Sequence, residues 1–560
     1  MARTRTTTTW IRNGLIVDGT GQPGFLGDVV IKDGRVAEVR RLSNGGPAAT
    51  GTPADGPAPA PGDVVIDATG RVVSPGFVDV HSHSDLSILA NPRAESSLRQ
   101  GITTEIAGNC GWSMAPVTKA TADTVGNRLI GSLVGKEAGT AIPWTWSTMA
   151  EFLDFVEDRG AGNNQATYVG QSMVRAYVLG TDDRLPSSKE LAKMKSLVRQ
   201  AMEEGAFGLS TGRSYFPGRL AGTPEIIELA REIAPFHGLY TSHIRNQDLD
   251  IMGATQEVID IGRGAGCAVQ VAHQKVCSKK CWGQAPRVLE LMEKARDRGV
   301  DVYSDIYPWN YTQIGNMARM LPAFITEGTT AEAVARLRDP ANHPRILEEA
   351  TARARARGGD GSDPFAGMGK TGVVYCRKTK ELEGLDLDEV AARYGLPLFE
   401  TVLALLADND LMVKTAGIMS EEDTSYIIKH PFSMISTDAF ALDQEMDEAA
   451  AIHPRHYATY PRILDFYVRQ RKLLTLEEAV WKMAGFPASR VGLLDRGVVR
   501  KGAWADILVF DPDTVAEAST IEKPAQFSPG FDYVLVNGQV VLDHGTYRDV
   551  RAGQVLRKGC

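Results

Sequence analysis

Cysteine is scarce: six residues in 560, at the irregular positions Cys110, Cys267, Cys277, Cys281, Cys376 and Cys560. This excludes a disulfide framework and suits a reducing compartment, so each thiol is buried, incidental or a metal ligand. Long hydrophobic runs are also missing. No stretch approaches the roughly 18 apolar residues a membrane helix needs, and Met1 to Thr9 is polar where a signal peptide would be apolar. A cytoplasmic chain with no membrane partner is expected. Neither charge sign gathers into a run: 61 Lys and Arg oppose 69 Asp and Glu for a net charge of −8, which leaves no surface to track a phosphate backbone. No nucleic-acid partner is expected. What remains is a chain 43% apolar and 23% charged, the usage of folded proteins with a sizeable core, and long enough for several domains or one large barrel with additions.

Short runs of alternating apolar and polar residues, Trp10 to Val17, Gly27 to Lys32 and Gly34 to Val39, predict a small antiparallel sheet turning at Asp33-Gly34. Residues 43 to 62 are almost all Gly, Pro, Ala, Ser, Thr and Asp, too poor in apolar area to offset ordering entropy, and read as a loop. The β pattern returns at Asp506 to Phe510, Tyr533 to Val536 and Gln539 to Leu542, with Asn537-Gly538 as a hairpin turn. Between the two ends, apolar runs (Val78 to Val80, Gly208 to Ser210, Leu239 to Ser242, Val269 to Ala272, Val300 to Ser304, Phe432 to Ser436) alternate with helical stretches such as Ser188 to Glu204 and Pro224 to His237. The expected fold class is α/β: a (β/α)8 TIM-like barrel over 75–490, flanked by a small β-sandwich built from 1–74 and 491–560. Residues 319–408, rich in charge, Gly and Ala, break the rhythm and read as an inserted subdomain, either a lid beside the barrel mouth or a surface excursion.

The chemistry-bearing residues follow one grammar. His81 and His83 stand at i, i+2 after the strand Phe77 to Val80, so they point the same way, and at the C-terminal end of a barrel strand that way is the mouth. A His-x-His pair alone is more often coincidence or a hydrogen-bonded pair than a metal site. Here it has company: Cys110 after Thr103 to Ala107, His243 after Leu239 to Ser242, His273 after Val269 to Ala272, and Asp438 after Phe432 to Ser436. A lone buried thiol or core histidine is the bland reading of each; together they point to a metal. Imidazole and thiolate donors favour zinc over magnesium or calcium. Asp438 is placed to take a proton from water and return it to a leaving group. Gly108 and Gly111 would let the backbone come close to a bound species.

Other features are discounted. Cys277 and Cys281 lack the spacing of a second metal clip, and Gly369-Lys370-Thr371 fails as a phosphate loop because Pro364 stands where its first glycine belongs. His237, His343, His430, His453, His456 and His544 read as surface or capping residues. Pro143-Trp-Thr-Trp146 fits either an apolar acyl pocket or a hydrophobic anchor.

Strand-borne His-x-His, later single histidines and a late Asp on a barrel beside a small β-domain resemble the amidohydrolase superfamily. Within it, Ser74-Pro-Gly-Phe-Val-Asp-Val-His-Ser-His-Ser-Asp85, Gly108-Asn-Cys-Gly111, Gly205-Ala-Phe-Gly-Leu-Ser-Thr-Gly212, His453-Pro-Arg455 and Val534-Leu-Val-Asn-Gly538 resemble the N-acyl-D-amino-acid deacylases (D-aminoacylases). The Asn-Cys-Gly element is the most specific, since related hydrolases use a carboxylated lysine there. The resemblance implies zinc held tightly by Cys110, His243 and His273, a weaker second position at His81 and His83, Asp438 as catalytic base, and Lys275, Tyr307 and Arg455 on the α-carboxylate of an N-acyl amino acid, expected to be of D configuration. Two departures bear on the pocket: Gln171 where the family usually has histidine, and Asn246-Gln247 where it usually has an acidic element. The rivals are a hydrolase of cyclic amides or imides, a related amidohydrolase of specialised metabolism, and a non-catalytic scaffold.

Overall fold

The computed structural model describes residues 8–42, 59–122, 144–180, 182–356, 365, 368–442 and 453–559. Most of the Gly/Pro-rich stretch (43–58), residues 357–363 of the inserted segment and Ile142-Pro143 lie outside the described residues. The chain opens with strands β1 (Thr9–Ile16), β2 (Phe25–Lys32) and β3 (Arg35–Arg41), an antiparallel meander. Asp33 and Gly34 turn it with φ of 52° and 75°, the pair of positive values that matches a hairpin turn to strand twist. Strands β4 (Val64–Asp67) and β5 (Val72–Pro75) then run parallel to β1.

A different sheet geometry follows. Strands β6 (Phe77–Asp79), β7 (Ile102–Ala107) and β8 (Asn164–Thr167) pair in parallel. So do β9 (Val169–Gly170), β10 (Gly208–Gly212), β11 (Leu239–His243), β12 (Ala268–Val271) and β13 (Val302–Ile306). Next come β14 (Gly315–Asn316), β15 (Gly372–Cys376) and β16 (Val413–Ala416), a separate antiparallel sheet, and then β17 (Ser433–Ile435), parallel to β13. Helices link the parallel strands. In Ser188–Glu203 the buried side chains Met194, Leu197, Val198, Ala201 and Met202 recur at three- and four-residue spacing, so one face covers the strands, and Ser187 with Glu190 forms a capping box at its start. The strand-end extensions of β17 and β6 also meet: the Asp438 N–H donates to the His81 carbonyl (2.8 Å), and the His83 N–H to the Ala439 carbonyl (2.8 Å).

Strands β18 (Ile507–Phe510), β19 (Phe531–Val536), β20 (Gln539–Asp543) and β21 (Thr546–Tyr547) return the chain to its beginning, because β18 pairs antiparallel with β5. Both ends thus share one nine-stranded sheet. The segment carrying β14 to β16 has its own core, including Leu321, Ile325, Leu337, Phe365, Val390 and Leu406. Among the described residues no single helix is long and apolar enough to cross a membrane; the apolar pair Leu387–Tyr394 and Leu398–Asp408 is bent by 85° and packs into that core.

Candidate active site

Each parallel strand that carries a chemistry-bearing residue delivers it at its C-terminal end. His243 is the last residue of β11, while His81, Cys110, His273 and Asp438 follow β6, β7, β12 and β17 by two or three residues. Three of these turn the chain through the left-handed region, with φ of 54° at Cys110, 36° at His273 and 52° at Asp438. For residues other than glycine this costs about 1–3 kcal/mol each, strain that clusters at functional sites. The flanking glycines serve the turn: a Cβ on Gly108 would lie 2.3 Å from the Tyr168 carbonyl oxygen, and one on Gly111 2.7 Å from the Gly212 nitrogen. They let the Cys110 turn seat against neighbouring strands.

The result is a buried sulfur surrounded by imidazoles. Cys110 Sγ lies 3.5 Å from His81 Nε2, 3.7 Å from His243 Nδ1 and 3.4 Å from His273 Nε2. Ligands bound tetrahedrally to zinc, with Zn–S near 2.3 Å and Zn–N near 2.05 Å, stand about 3.6 Å apart, so the donor set fits that ion. Three overlapping groups, His81/His83/Cys110, Cys110/His243/His273 and His81/His273/Asp438, each have their donor atoms within 4.8 Å of one another. Asp438 borders the cluster: Oδ1 is 3.2 Å from His83 Nε2 and 3.6 Å from His81 Nε2, and Oδ2 accepts from Arg455 Nη1 at 2.7 Å.

The electrostatics pair anionic groups with cationic ones. Burial pushes the Cys110 thiol up, yet the facing His81 and His273 outweigh it and hold the group well below its ordinary value. Burial likewise opposes ionisation of Asp438, and Arg455 and His273 overcome it. Burial works against protonated His83, but hydrogen bonds to Asp438 and Cys110 raise it to about 9. His273, buried beside Lys275 and His243, is pushed down to about 3 and keeps a free lone pair. A thiolate and a carboxylate beside imidazole nitrogens are donors a divalent cation would take, displacing the imidazole protons.

Lys275, Tyr307 and Arg455 form one chain beside Asp438. Lys275 Nζ donates to Tyr307 Oη (2.9 Å), the Arg455 guanidinium carbon lies 4.9 Å from the Tyr307 ring centre, and Arg455 Nη2 donates to Gln313 Oε1 (2.9 Å). All nine residues singled out from sequence are therefore contiguous, eight of them buried and His83 nearly so. Sequence reasoning missed Asp305, inside β13, which lies 3.4 Å from His81 Nδ1 and accepts from the His273 N–H (3.0 Å) and Ser436 Oγ (2.6 Å). It also missed Tyr215, whose ring centre is 4.5 Å from that of His243. Position at a strand end could have flagged Asp305; nothing in the sequence marks Tyr215.

Several minor readings are corrected. His453 and His456 are not surface residues but fully buried: His453 Nδ1 accepts the Arg455 N–H (2.9 Å), capping the helix Arg455–Arg462, and His456 stacks on Phe440 at 5.3 Å. His430 is also buried, 3.0 Å from Glu293. Trp146 serves as an anchor, its Nε1 donating to the Met114 carbonyl (2.8 Å) and its ring packed on Phe152 and Phe155. Gln171 is buried next to Glu225, at 3.5 Å.

A model of the amidohydrolase family matches residues 64–235 and 365–542. D-aminoacylase of Alcaligenes xylosoxydans xylosoxydans is 31% identical over 548 residues, 98% of this chain and 97% of the relative. N-acyl-D-glutamate deacylase of the same organism is 32% identical over 549 residues, covering 98% and 96%. Among solved structures, N-acyl-D-glutamate deacylase from Bordetella bronchiseptica, complexed with zinc and a phosphonate mimic of the reaction's tetrahedral intermediate, superposes with a TM-score of 0.74 at 31% identity, over 99% of this chain and 100% of that one.

Proposed function

The chain belongs to the amidohydrolase family, and from that membership we propose that it is a zinc-dependent hydrolase cleaving the amide of an N-acyl-D-amino acid to a carboxylate and the free amino acid. The observation that carries the reading is the Cys110 sulfur held 3.4–3.7 Å from three imidazole nitrogens brought from three different strand ends. Cys110, His243 and His273 would hold the zinc; His81 and His83, with Cys110, make a second and weaker position. Zinc bound there supplies Lewis acidity, polarising a carbonyl and making water acidic near neutrality.

The chain's own residues account for the rest. Asp438 Oδ2 is tied to Arg455 while Oδ1 borders the His83 and His81 ring nitrogens; with those imidazoles turned to a metal, Oδ1 would take a proton from water as water oxygen adds to the carbonyl carbon. The same oxygen passes that proton to the departing nitrogen when the C–N bond breaks. Arg455, Lys275 and Tyr307 offer a carboxylate two cations and a phenol. A carboxylate that took the place of the neutral amide oxygen of Gln313 on Nη2 would make a bond in which both partners are charged. Fixing the carboxylate on one side and the amide carbonyl on the other makes the two configurations at the α-carbon inequivalent.

We read the parallel strands as an eight-stranded barrel over 75–490, β8 and β9 counting as one because only Tyr168 separates them, and the link between the extensions of β17 and β6 supports this. The terminal segments 1–74 and 491–560 read as a β-sandwich because Ile11, Val29, Ile66, Ile507 and Leu535, from strands of both ends, share one core. The inserted segment reads as a lid: Lys279, on the loop that follows His273 and Lys275, pairs with its Glu389. The test is a panel of N-acyl D- and L-amino acids assayed with and without added zinc. Turnover of D substrates dependent on stoichiometric zinc is expected; a chain that binds no zinc and hydrolyses none of them would overturn the function.

A further inference from the structure

Gln247 lies on the loop after β11, half-buried and outside every donor group described above. Its side-chain amide is 3.1 Å from Nδ1 of His273, whose Nε2 is turned to the Cys110 sulfur. The loop is organised for this contact. Asn246 Oδ1 accepts the main-chain N–H groups of Asp248 (3.0 Å) and Asp250 (2.9 Å), and the Gln247 carbonyl accepts the Cys277 N–H (2.8 Å). The last bond ties the loop to the segment that carries His273 and Lys275.

An imidazole that coordinates a metal through Nε2 carries its proton on Nδ1, and that N–H needs an acceptor to fix the tautomer and the ring plane. With Nε2 of Gln247 at Nδ1, the amide donates and the imidazole proton would sit on the metal side. Rotating the amide by half a turn puts Oε1 in the same place with the same shape. It leaves the amide nitrogen beside Cys277 Sγ, which now lies 4.0 Å from Oε1.

We propose that Gln247 is a positioning residue for the metal: its Oε1 accepts the Nδ1–H of His273 and so presents the Nε2 lone pair to the ion. The inference rests on the zinc reading above. Because an amide is a weaker acceptor than a carboxylate, the His273 imidazole stays less basic than it would beside a Glu, and the chain holds its zinc correspondingly less tightly.

The test uses the full chain stripped of metal and titrated with zinc against a chromogenic chelator, for wild type, Gln247→Leu and Gln247→Glu, with the melting temperature of each stripped chain as a folding control. Wild type that binds no zinc removes the zinc reading itself and is thereby distinguished from failure of the proposal. Given stoichiometric binding by wild type, Gln247→Leu is expected to weaken zinc affinity about ten- to hundredfold with its melting temperature unchanged. Gln247→Glu, of the same shape and with acceptor oxygens at both ends, is expected to bind at least as tightly as wild type. A folded Gln247→Leu chain with zinc affinity within twofold of wild type overturns the proposal. So does Gln247→Glu that loses as much affinity as Gln247→Leu, and this arm decides the matter if the leucine variant fails to fold.

Discussion

Cys110 and Asp438 touch the same imidazoles yet separate by what each is next to. The sulfur is enclosed by ring nitrogens, whereas Asp438 has one oxygen on the histidines and the other on a guanidinium. Removing the thiol should therefore cost the ion, and neutralising the carboxylate should cost only the proton transfer. Cys110→Ala is expected to lose both zinc and turnover. Asp438→Asn is expected to keep zinc content, measured by elemental analysis, while kcat falls by about 10²–10⁴-fold, the usual worth of a general acid or base. For Arg455 the expected readout is KM: Arg455→Ala should raise it about tenfold or more, as loss of a charged hydrogen bond of roughly 1.5–3 kcal/mol requires, with zinc content unchanged. An unmoved KM would take Arg455 off the carboxylate. These residues were legible in the sequence because each follows a short apolar run, so strand position and residue type coincide. Asp305 and Gln247 carried a weaker signal: Asp305 only its place near a strand end, Gln247 only a departure from the resemblance, while the contacts that give them their role reach His273 across 32 and 26 residues of chain.

At the scale of elements, the site depends on turns that place side chains against backbone resistance. Gly108, at φ +75°, has no room for a methyl group beside the Tyr168 carbonyl. Gly108→Ala should cost at least about 1–2 kcal/mol from the left-handed backbone alone, seen as a lower denaturant midpoint, and should reduce zinc content because Cys110 moves with it. Trp146→Ala distinguishes an anchor from a pocket wall: loss of a buried indole packed on Phe152 and Phe155 predicts about 3–5 kcal/mol of destabilisation, with KM for short acyl groups unchanged. Periodicity gave the helix Ser188–Glu203 to within one residue, since its apolar face and its capping box agree. It overran the next helix, expected to reach His237 but ending at Ala230, because Pro235 lacks an N–H and its ring disfavours continuation; a short 3-10 turn, Ala234–Phe236, takes its place. The small sheet of β14, β15 and β16 was missed altogether: β15 lies within 319–408 with β14 and β16 just outside it, and segments of two, five and four residues do not register an alternating pattern.

For the whole molecule, the ion would be a tertiary contact as well as a reagent. Cys110 meets His243 and His273 across 133 and 163 residues of chain, so a metal bound there closes long loops that the unfolded chain leaves open and binds the folded state in preference. Linkage then fixes the direction: zinc at about 1,000 times its dissociation constant adds roughly 4 kcal/mol to folding. Stripping the metal from wild type is expected to lower Tm by several degrees, and re-adding zinc to restore it in a concentration-dependent way. Cys110→Ala, which retains the fold but not the sulfur, should show a Tm that zinc barely moves. The large apolar core packed around the parallel strands contains none of the proposed ligands, so the stripped wild type should still unfold cooperatively. Loss of cooperativity on stripping, followed by calorimetry, would mean that the strand ends converge only when the metal holds them, and the site would then be assembled by its ligand instead of waiting for it.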